Sequence, residues 1–516
     1  MEIFGNLAGN VALGFDTALS ASNLFYCFIG VLLGTVIGVI PGIGALAAIS
    51  MLFPITFHLD PTSALIMLAG IWYGSTYGGS TAAILLNIPG TPSTAVTSLD
   101  GYPMSRQGRG GVALLMTTIA SFIGGSIGIL LMMLFAPVIA TYALSFGSAE
   151  YFALMLLGLV AASTIADGSA IKGLAMVVLG IAFGTVGMDL YTGSQRFTFG
   201  MLQLSDGISL VALAMGLFGI AEIIASIRHV HAGHVDRKSV SLRSMKPTRD
   251  DMRRSVMPMA RGASIGSFFG TLPGTGPSVA AFMAYAMEKR VARDKSRFGK
   301  GAIEGIMAPE SANNAADQTS FIPTMTLGIP GSPTMALMLG ALIIHGITPG
   351  PQLMTTQPSL FWGLVMSFWI GNVLLVLLNV PLIGLWVRLL LIPYHLLYPA
   401  VLMFICIGVF TVNNNAFDVW LVAFFGALGY LMRLLGFQPA PLLLGFVLGP
   451  LMEEHFRRAM LISRGDLMTF IDRPISGTVM AMTGLLLVWS AVGAYRGWQA
   501  RRGERAAQRM AASARE

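Results

Sequence analysis

Apolar windows of about 20 residues recur from residue 21 to residue 495 of this 516-residue chain, each long enough to cross a bilayer as helix. In hydrocarbon an unpaired backbone amide or carbonyl costs several kcal/mol, so a spanning segment is helical unless protein shields it. Two stretches strain that rule. Residues 73–94 read YGSTYGGSTAAILLNIPGTPST and residues 309–334 read PESANNAADQTSFIPTMTLGIPGSPT. Each opens with small polar residues inside an apolar run and closes on a break, Pro89-Gly90-Thr91-Pro92 in one and Pro330-Gly331-Ser332-Pro333 in the other. A helix broken inside the membrane must line a protein-enclosed cavity or meet a ligand.

Composition fits that reading, with 55% hydrophobic and only 11% charged residues against roughly 25% charged in a soluble domain. Roughly a dozen spans, or slightly more, are expected at the usual helix length. Met1–Ser20 carries Glu2 and Asp16 and no basic residue, so it reads as an amphipathic lead-in helix rather than a cleavable signal. Cys27 and Cys406 both fall inside apolar runs, which argues for packing rather than a disulfide framework or zinc site. The net charge of +7 does not point to nucleic acid, because 20 of the 31 Lys and Arg lie in three short segments, Arg228–Arg254, Lys289–Lys300 and Arg496–Arg515. Such clustering near span ends is the positive-inside pattern and places all three in the cytoplasm.

The two interrupted stretches belong to a longer repetition. GVIPGIGA at Gly38–Ala45 matches GTLPGTGP at Gly270–Pro277, 232 positions later; the Pro-Gly breaks recur 241 positions apart, and Gly158 and Gly408 are 250 apart. Feature order is kept while the offset grows, as two homologous halves with small loop insertions require. Charge gives their relative orientation. Arg106 and Arg109 follow the first break while His345–Pro358 has no Lys or Arg; Lys289–Lys300 is basic while the loop around His58–Pro61 carries only His58. Corresponding loops thus fall on opposite sides, the arrangement of inverted repeats that set broken helices around a midplane site. The expected fold is an all-α polytopic membrane protein of two inverted repeats with helical hairpins and discontinuous transmembrane helices. It divides into a lead-in (1–20), a first repeat (21–227), a cytoplasmic linker (228–254), a second repeat (255–452), an interfacial segment with a last span (453–495), and a basic cytoplasmic tail (496–516). Arg457, Arg458 and Arg464 do not fit strict alternation and suggest an interfacial region.

Candidate site residues follow from the interruptions. The hairpin tips Pro41–Gly44 and Pro273–Ser278 leave backbone groups for an ion or carboxylate, through Gly42, Gly44, Gly274 and Gly276; a plain tight turn between packed helices is the competing reading. The run Ser75, Thr76, Tyr77, Gly78, Gly79 and Ser80, with Asn313 and Asn314, supplies hydroxyls and carboxamides that bind carboxylate oxygens without a buried full charge; small residues permitting helix contact and hydroxyls bonding back to their own helix compete with it. Thr91 and Ser332 at the breaks join the substrate set. A coupling ion is expected near Pro41, Pro273, Thr275, Glu310 and Asn87. Glu310 and Asp317 are acidic groups in apolar surroundings; alternatively Glu310, ten residues past Lys300, is solvated at a helix end. Enzymatic readings are weak. His229, His231 and His234 lack a companion Cys or carboxylate for a metal set, and no nucleophile motif stands in a strand-to-helix context.

Together GVIPGIGA, YGSTYGGSTAAILLNIPGTPS, GTLPGTGP and APESANNAADQTSFIPTMTLGIPGSPT resemble the large membrane subunit of the tripartite tricarboxylate transporter family, over roughly residues 20–450. The resemblance implies a secondary transporter of the bacterial inner membrane that imports a small organic carboxylate with a cation gradient. It also implies a small membrane subunit and a periplasmic binding protein as partners. Sodium is the expected ion and a proton the alternative, with no other cofactor. A channel, an intramembrane enzyme and a purely structural assembly subunit are the competing classes.

Overall fold

The computed structural model describes residues 7–40, 43–165, 169–189, 191–227, 240, 242–272, 275–390, 392 and 394–492. Pro41, Gly42, Pro273 and Gly274, the three linker histidines and the basic tail lie outside the described residues.

Apolar helices dominate, and the described strands are one antiparallel pair, Gly187–Met188 with Gln195–Arg196. Among the described residues five helices are long and apolar enough to cross a membrane: Ala21–Val39, Pro92–Ala143, Pro358–Asn379, Ala416–Leu434 and Pro474–Val492. Six shorter apolar helices accompany them. The lead-in forms a helix, Leu7–Ala18, that lies on Pro358–Asn379. Local chemistry sets the starts: Asp60 accepts from the Thr62 amide at 3.0 Å just ahead of Pro61, and Thr248 with Asp251 forms a capping box at Arg249.

Helix Ala21–Val39 packs along Pro61–Leu86, the most extensive helix pair of the fold. The reason is visible in the glycines. A Cβ added at Gly30, Gly34 or Gly38 would lie 2.3 Å from the carbonyl oxygen of Met67, Ile71 or Ser75 respectively, so only glycine lets the backbones touch. In Arg249–Gly270 the same spacing recurs. A Cβ at Gly262, Gly266 or Gly270 would lie 2.2, 2.1 or 2.6 Å from the carbonyl oxygen of Ala308, Ala312 or Ala316. Each glycine stands 232 positions beyond its first-half counterpart and each partner 241 beyond, the offsets of the two motif pairs. From the first half Gly124 and Gly128 press on an adjoining strip of Glu304–Thr319, against the carbonyls of Ser311 and Ala315.

Pro61–Leu86 is one continuous helix, buried from Ser63 to Leu85. Its Gly74–Thr81 run is therefore regular, and the interruption comes only after Leu86. The expected boundary at 452/453 falls inside another continuous helix, Pro439–Ile462. Charges do not end that helix, because Glu453 pairs with Arg457 at 2.6 Å and Glu454 with Arg458 at 2.7 Å one turn apart on it.

Candidate functional site

The two interruptions are built alike. Pro61–Leu86 ends on Asn87 in the left-handed region (φ 58), and Phe321–Leu327 ends on Gly328 (φ 69), 241 positions later. Glycine or asparagine is what such a helix end favours. The chain then passes Pro-Gly and re-enters helix at Pro92 or Pro333. Thr91 accepts from the Thr94 amide at 3.4 Å and Ser332 from the Met335 amide at 3.2 Å. These two hydroxyls, expected to face substrate, serve as helix caps, and two helix N-termini open at the breaks.

Each hairpin tip rests on the break of its own half. A Cβ at Gly44 would lie 2.5 Å from the Gly90 carbonyl oxygen, and one at Gly276 (φ 59) would lie 3.4 Å from Ser332 Cβ. Gly79 completes the first cluster, its added Cβ 3.6 Å from Thr94 Cγ2. The Thr275 hydroxyl is committed to its turn, donating to the carbonyls of Phe269 and Leu272.

Between the halves lies a buried polar layer. Glu310 is 1% exposed, which removes the solvated helix-end reading. Its Oε1 accepts from Ser80 at 2.8 Å and Thr97 at 2.5 Å, and its Oε2 accepts from Ser121 at 3.0 Å. Three first-half hydroxyls thereby converge on one second-half carboxylate. Nearby, Tyr73 donates to Gln318 Oε1 at 3.0 Å and Tyr77 to Asn372 Oδ1 at 3.3 Å. Asn372 in turn donates to the Phe122 carbonyl at 3.0 Å.

The other candidate hydroxyls divide. Ser75 and Thr76 donate to the Trp72 carbonyl of their own helix, at 2.7 and 3.2 Å, while Ser80 reaches across to Glu310. Gly78 is a packing residue, its absent Cβ leaving room for the Thr35 carbonyl. Asn314 donates to the Glu310 carbonyl at 3.0 Å. Asn313 and Asp317 differ from all these: both are 1% exposed, and neither the carboxamide nor the carboxylate has a hydrogen-bond partner among the described residues. No described group of three or more His, Cys, Asp or Glu could hold a metal.

Sequence reasoning passed over Thr97, Ser121 and Asp100. Asp100 is fully buried, and its Oδ1 accepts from the amides of Gly299, Gly301 and Ala302 at 2.8, 2.9 and 2.8 Å while Tyr285 donates to Oδ2 at 2.9 Å. This ties the loop ahead of Glu304–Thr319 to the first half. A lone acid beside a glycine in an apolar helix was the available signal.

Residues 24–444 match the tripartite tricarboxylate transporter TctA family. An uncharacterized 52.8 kDa protein in the TAR-I ttuC' 3' region of Agrobacterium vitis is 52% identical over 477 residues, 92% of this chain and 95% of that protein. An uncharacterized protein in the TAR-II ttuC' 3' region of the same organism is 57% identical over 223 residues, 43% of this chain and 92% of that protein. No solved structure matches the chain.

Proposed function

The chain belongs to the tripartite tricarboxylate transporter TctA family, and from that membership we propose that it is the large permease subunit of a secondary transporter importing small organic di- or tricarboxylates. One observation carries the reading beyond family: two equivalent helices are interrupted at equivalent places, each interruption is seated on its own hairpin tip, and each is followed by a helix N-terminus. Such an end attracts carboxylate through aligned amides and the helix dipole without a fixed countercharge, so the anion can leave again.

In this reading the two halves are oppositely oriented and expose one site to either side in turn. A cation gradient drives uptake, a small membrane subunit accompanies the chain, and a periplasmic binding protein delivers the substrate. The protein sits in the inner membrane with its C-terminus in the cytoplasm. Reconstitution with both partners tests this. A carrier exchanges labelled carboxylate against a gradient and saturates; non-saturating flux without counterflow would make it a channel. Cysteine labelling from each side tests orientation separately, and finding the loops at 101–110 and 345–358 in one aqueous compartment would remove the inverted arrangement.

A further inference from the structure

Helix Ala170–Gly184 runs parallel to Pro439–Ile462 in close contact, with Gly180 and Gly184 seated on the carbonyls of Leu442 and Phe446. Charges mark where the pair enters the bilayer: Lys172 donates to the Leu435 carbonyl at 2.6 Å, and Arg433 pairs with Glu222 at 2.7 Å. From that end the two helices differ in reach. The first has 15 residues and covers about 22 Å of a hydrocarbon core about 30 Å thick. The second has 24 residues and covers about 36 Å, enough to cross it. Beyond Gly184 about 8 Å of core is left, and the Gly187–Arg196 hairpin stands there. Arg196 bonds Glu453 at 2.9 Å and Asp189 bonds Arg457 at 3.2 Å, which fixes the hairpin about 21 to 27 Å along the longer helix.

The loop after the hairpin is left uncovered by the chain. Phe199 is 84%, Leu202 82% and Phe197 60% exposed, and Met201 is exposed beside them. Phe197 and Phe199 also hold φ of 53° and 52°. That conformation is an outlier for a bulky side chain and persists only where the surroundings offset its strain. At its exposure Phe199 draws little such support from the protein. The segment cannot swing away, because Arg196 is held at one end and the Ser205 carbonyl accepts from the Met188 amide at 3.0 Å at the other.

We propose that residues 197–202 lie in the bilayer, where acyl chains meet headgroups on the side away from Lys172, and that lipid covers Phe197, Phe199, Met201 and Leu202. Helix length favours lipid over a protein partner, since it sets the level of the segment, and tilt of the two helices only brings that level deeper. The charges fit the same place. Asp189 and Glu453 balance Arg196 and Arg457, as ionisable groups near hydrocarbon pair with one another, and arginine tips reach toward headgroups. A position at this boundary also accounts for Arg457, which strict alternation of loops leaves out of step. The inference needs the chain to cross a bilayer, whatever it carries and in whichever direction.

Fluorescent labels on the full-length chain in lipid nanodiscs test the proposal. In a Cys406→Ser background, with Cys27 buried, Phe199→Cys and Leu202→Cys each take an environment-sensitive nitrobenzoxadiazole dye, and Thr355→Cys, at an exposed loop position, serves as the aqueous reference. Blue-shifted emission is expected at both positions, with strong quenching by lipids brominated near the top of the acyl chain. Iodide quenching should be several-fold weaker than at residue 355. Iodide quenching equal to the reference, with none from brominated lipid, overturns the proposal. So does protection that appears only when a binding protein is added, or only as chain concentration rises, since the patch would then dock a protein or a second copy. Should a variant fail to elute as folded protein, the unsubstituted chain decides through a diazirine placed near the top of a lipid acyl chain. Photo-adducts mapped by mass spectrometry to residues 197–202 support the proposal, and adducts on Pro474–Val492 with none on 197–202 overturn it.

Discussion

Thr97 and Glu310 are 213 positions apart along the chain and 2.5 Å apart in the fold. Thr97 sits on the helix that follows the first break, and Glu310 on Glu304–Thr319, which Phe321–Leu327 separates from the second, so this bond links the neighbourhoods of the two breaks. Glu310→Ala removes the common acceptor of three buried hydroxyls. Ser80 has an alternative in the Thr76 carbonyl at 3.3 Å, whereas Thr97 and Ser121 are left to find one. With about 1–3 kcal/mol for each buried group left unsatisfied, a loss of about 3 kcal/mol is expected, read as a lower melting temperature in detergent. Glu310→Gln keeps an acceptor oxygen and should lose markedly less. Equal melting temperatures for wild type and Glu310→Ala would show that the three bonds contribute nothing.

Backbone contact predicts a second set of variants. Alanine at Gly34 or Gly266 would gain about 1 kcal/mol of helix propensity but place a methyl 2.3 or 2.1 Å from a carbonyl oxygen. The helices must then separate, and overpacking of this kind costs about 1–3 kcal/mol, with lost glycine-face contact added. Both variants should therefore melt earlier than wild type. Gly384→Ala, with nothing within 4 Å of the added Cβ, should be neutral or slightly stabilising.

Asp100 should behave as a structural anchor. Asp100→Ala strands three amides of the 299–302 loop and the Tyr285 hydroxyl, and charge-assisted bonds are worth about 1.5–3 kcal/mol each, so a loss of at least about 3 kcal/mol is expected. Asp100→Asn retains a carbonyl oxygen for the amides and an NH2 that the Tyr285 oxygen can accept from, and should sit between alanine and wild type. Tyr285→Phe should be the mildest. Melting curves of the three variants rank them, and the reverse order would refute the assignment of the amides as the main contribution.

How far the residues foretold this arrangement depends on whether a feature leaves a pattern. The breaks do: Pro and Gly act locally, and Asn87, Gly328, Thr91 and Ser332 sit where helix-end chemistry requires them. Gly30, Gly34 and Gly38, spaced by four in Ala21–Val39, are a local pattern of the same kind, since they share one helix face. Glu310's partners do not, since Ser80, Thr97 and Ser121 are single hydroxyls in apolar helices and nothing local tells an outward bond from one to the helix's own carbonyl. Thr76 and Ser80 share a run in sequence, yet one turns back to Trp72 and the other crosses to Glu310. Arg457, which does not fit strict alternation, is a related case: it is held by Asp189 at 3.2 Å and Glu453 at 2.6 Å, partners that only the fold brings together.

That cluster yields a pH prediction. Arg196 bonds Asp189 at 2.5 Å and Glu453 at 2.9 Å, so two arginines and two acids pin the Gly187–Arg196 hairpin to Pro439–Ile462. The Arg196 hydrogen bond holds Glu453 below its usual range against opposing burial, with Arg457 adding to it. Burial pushes Asp189 up, but bonds from Arg196, the Tyr191 amide and Thr192 outweigh it and leave that carboxyl well below its ordinary value. A carboxyl depressed in the folded state stabilises fully above its unfolded value, about 4 for these groups, and loses that contribution as pH falls toward the folded one. The hairpin should therefore stay docked at neutral pH and loosen only in the acid range below about 4. Hydrogen exchange at the Met188 and Asp189 amides, bonded to the Ser205 and Ser194 carbonyls at 3.0 and 2.9 Å, reads this directly once corrected for intrinsic rates. Arg196→Gln should raise exchange already at neutral pH and flatten its further rise below about pH 4, and an acid-range rise as large as in wild type would mean the arginine does not hold the two acids ionised.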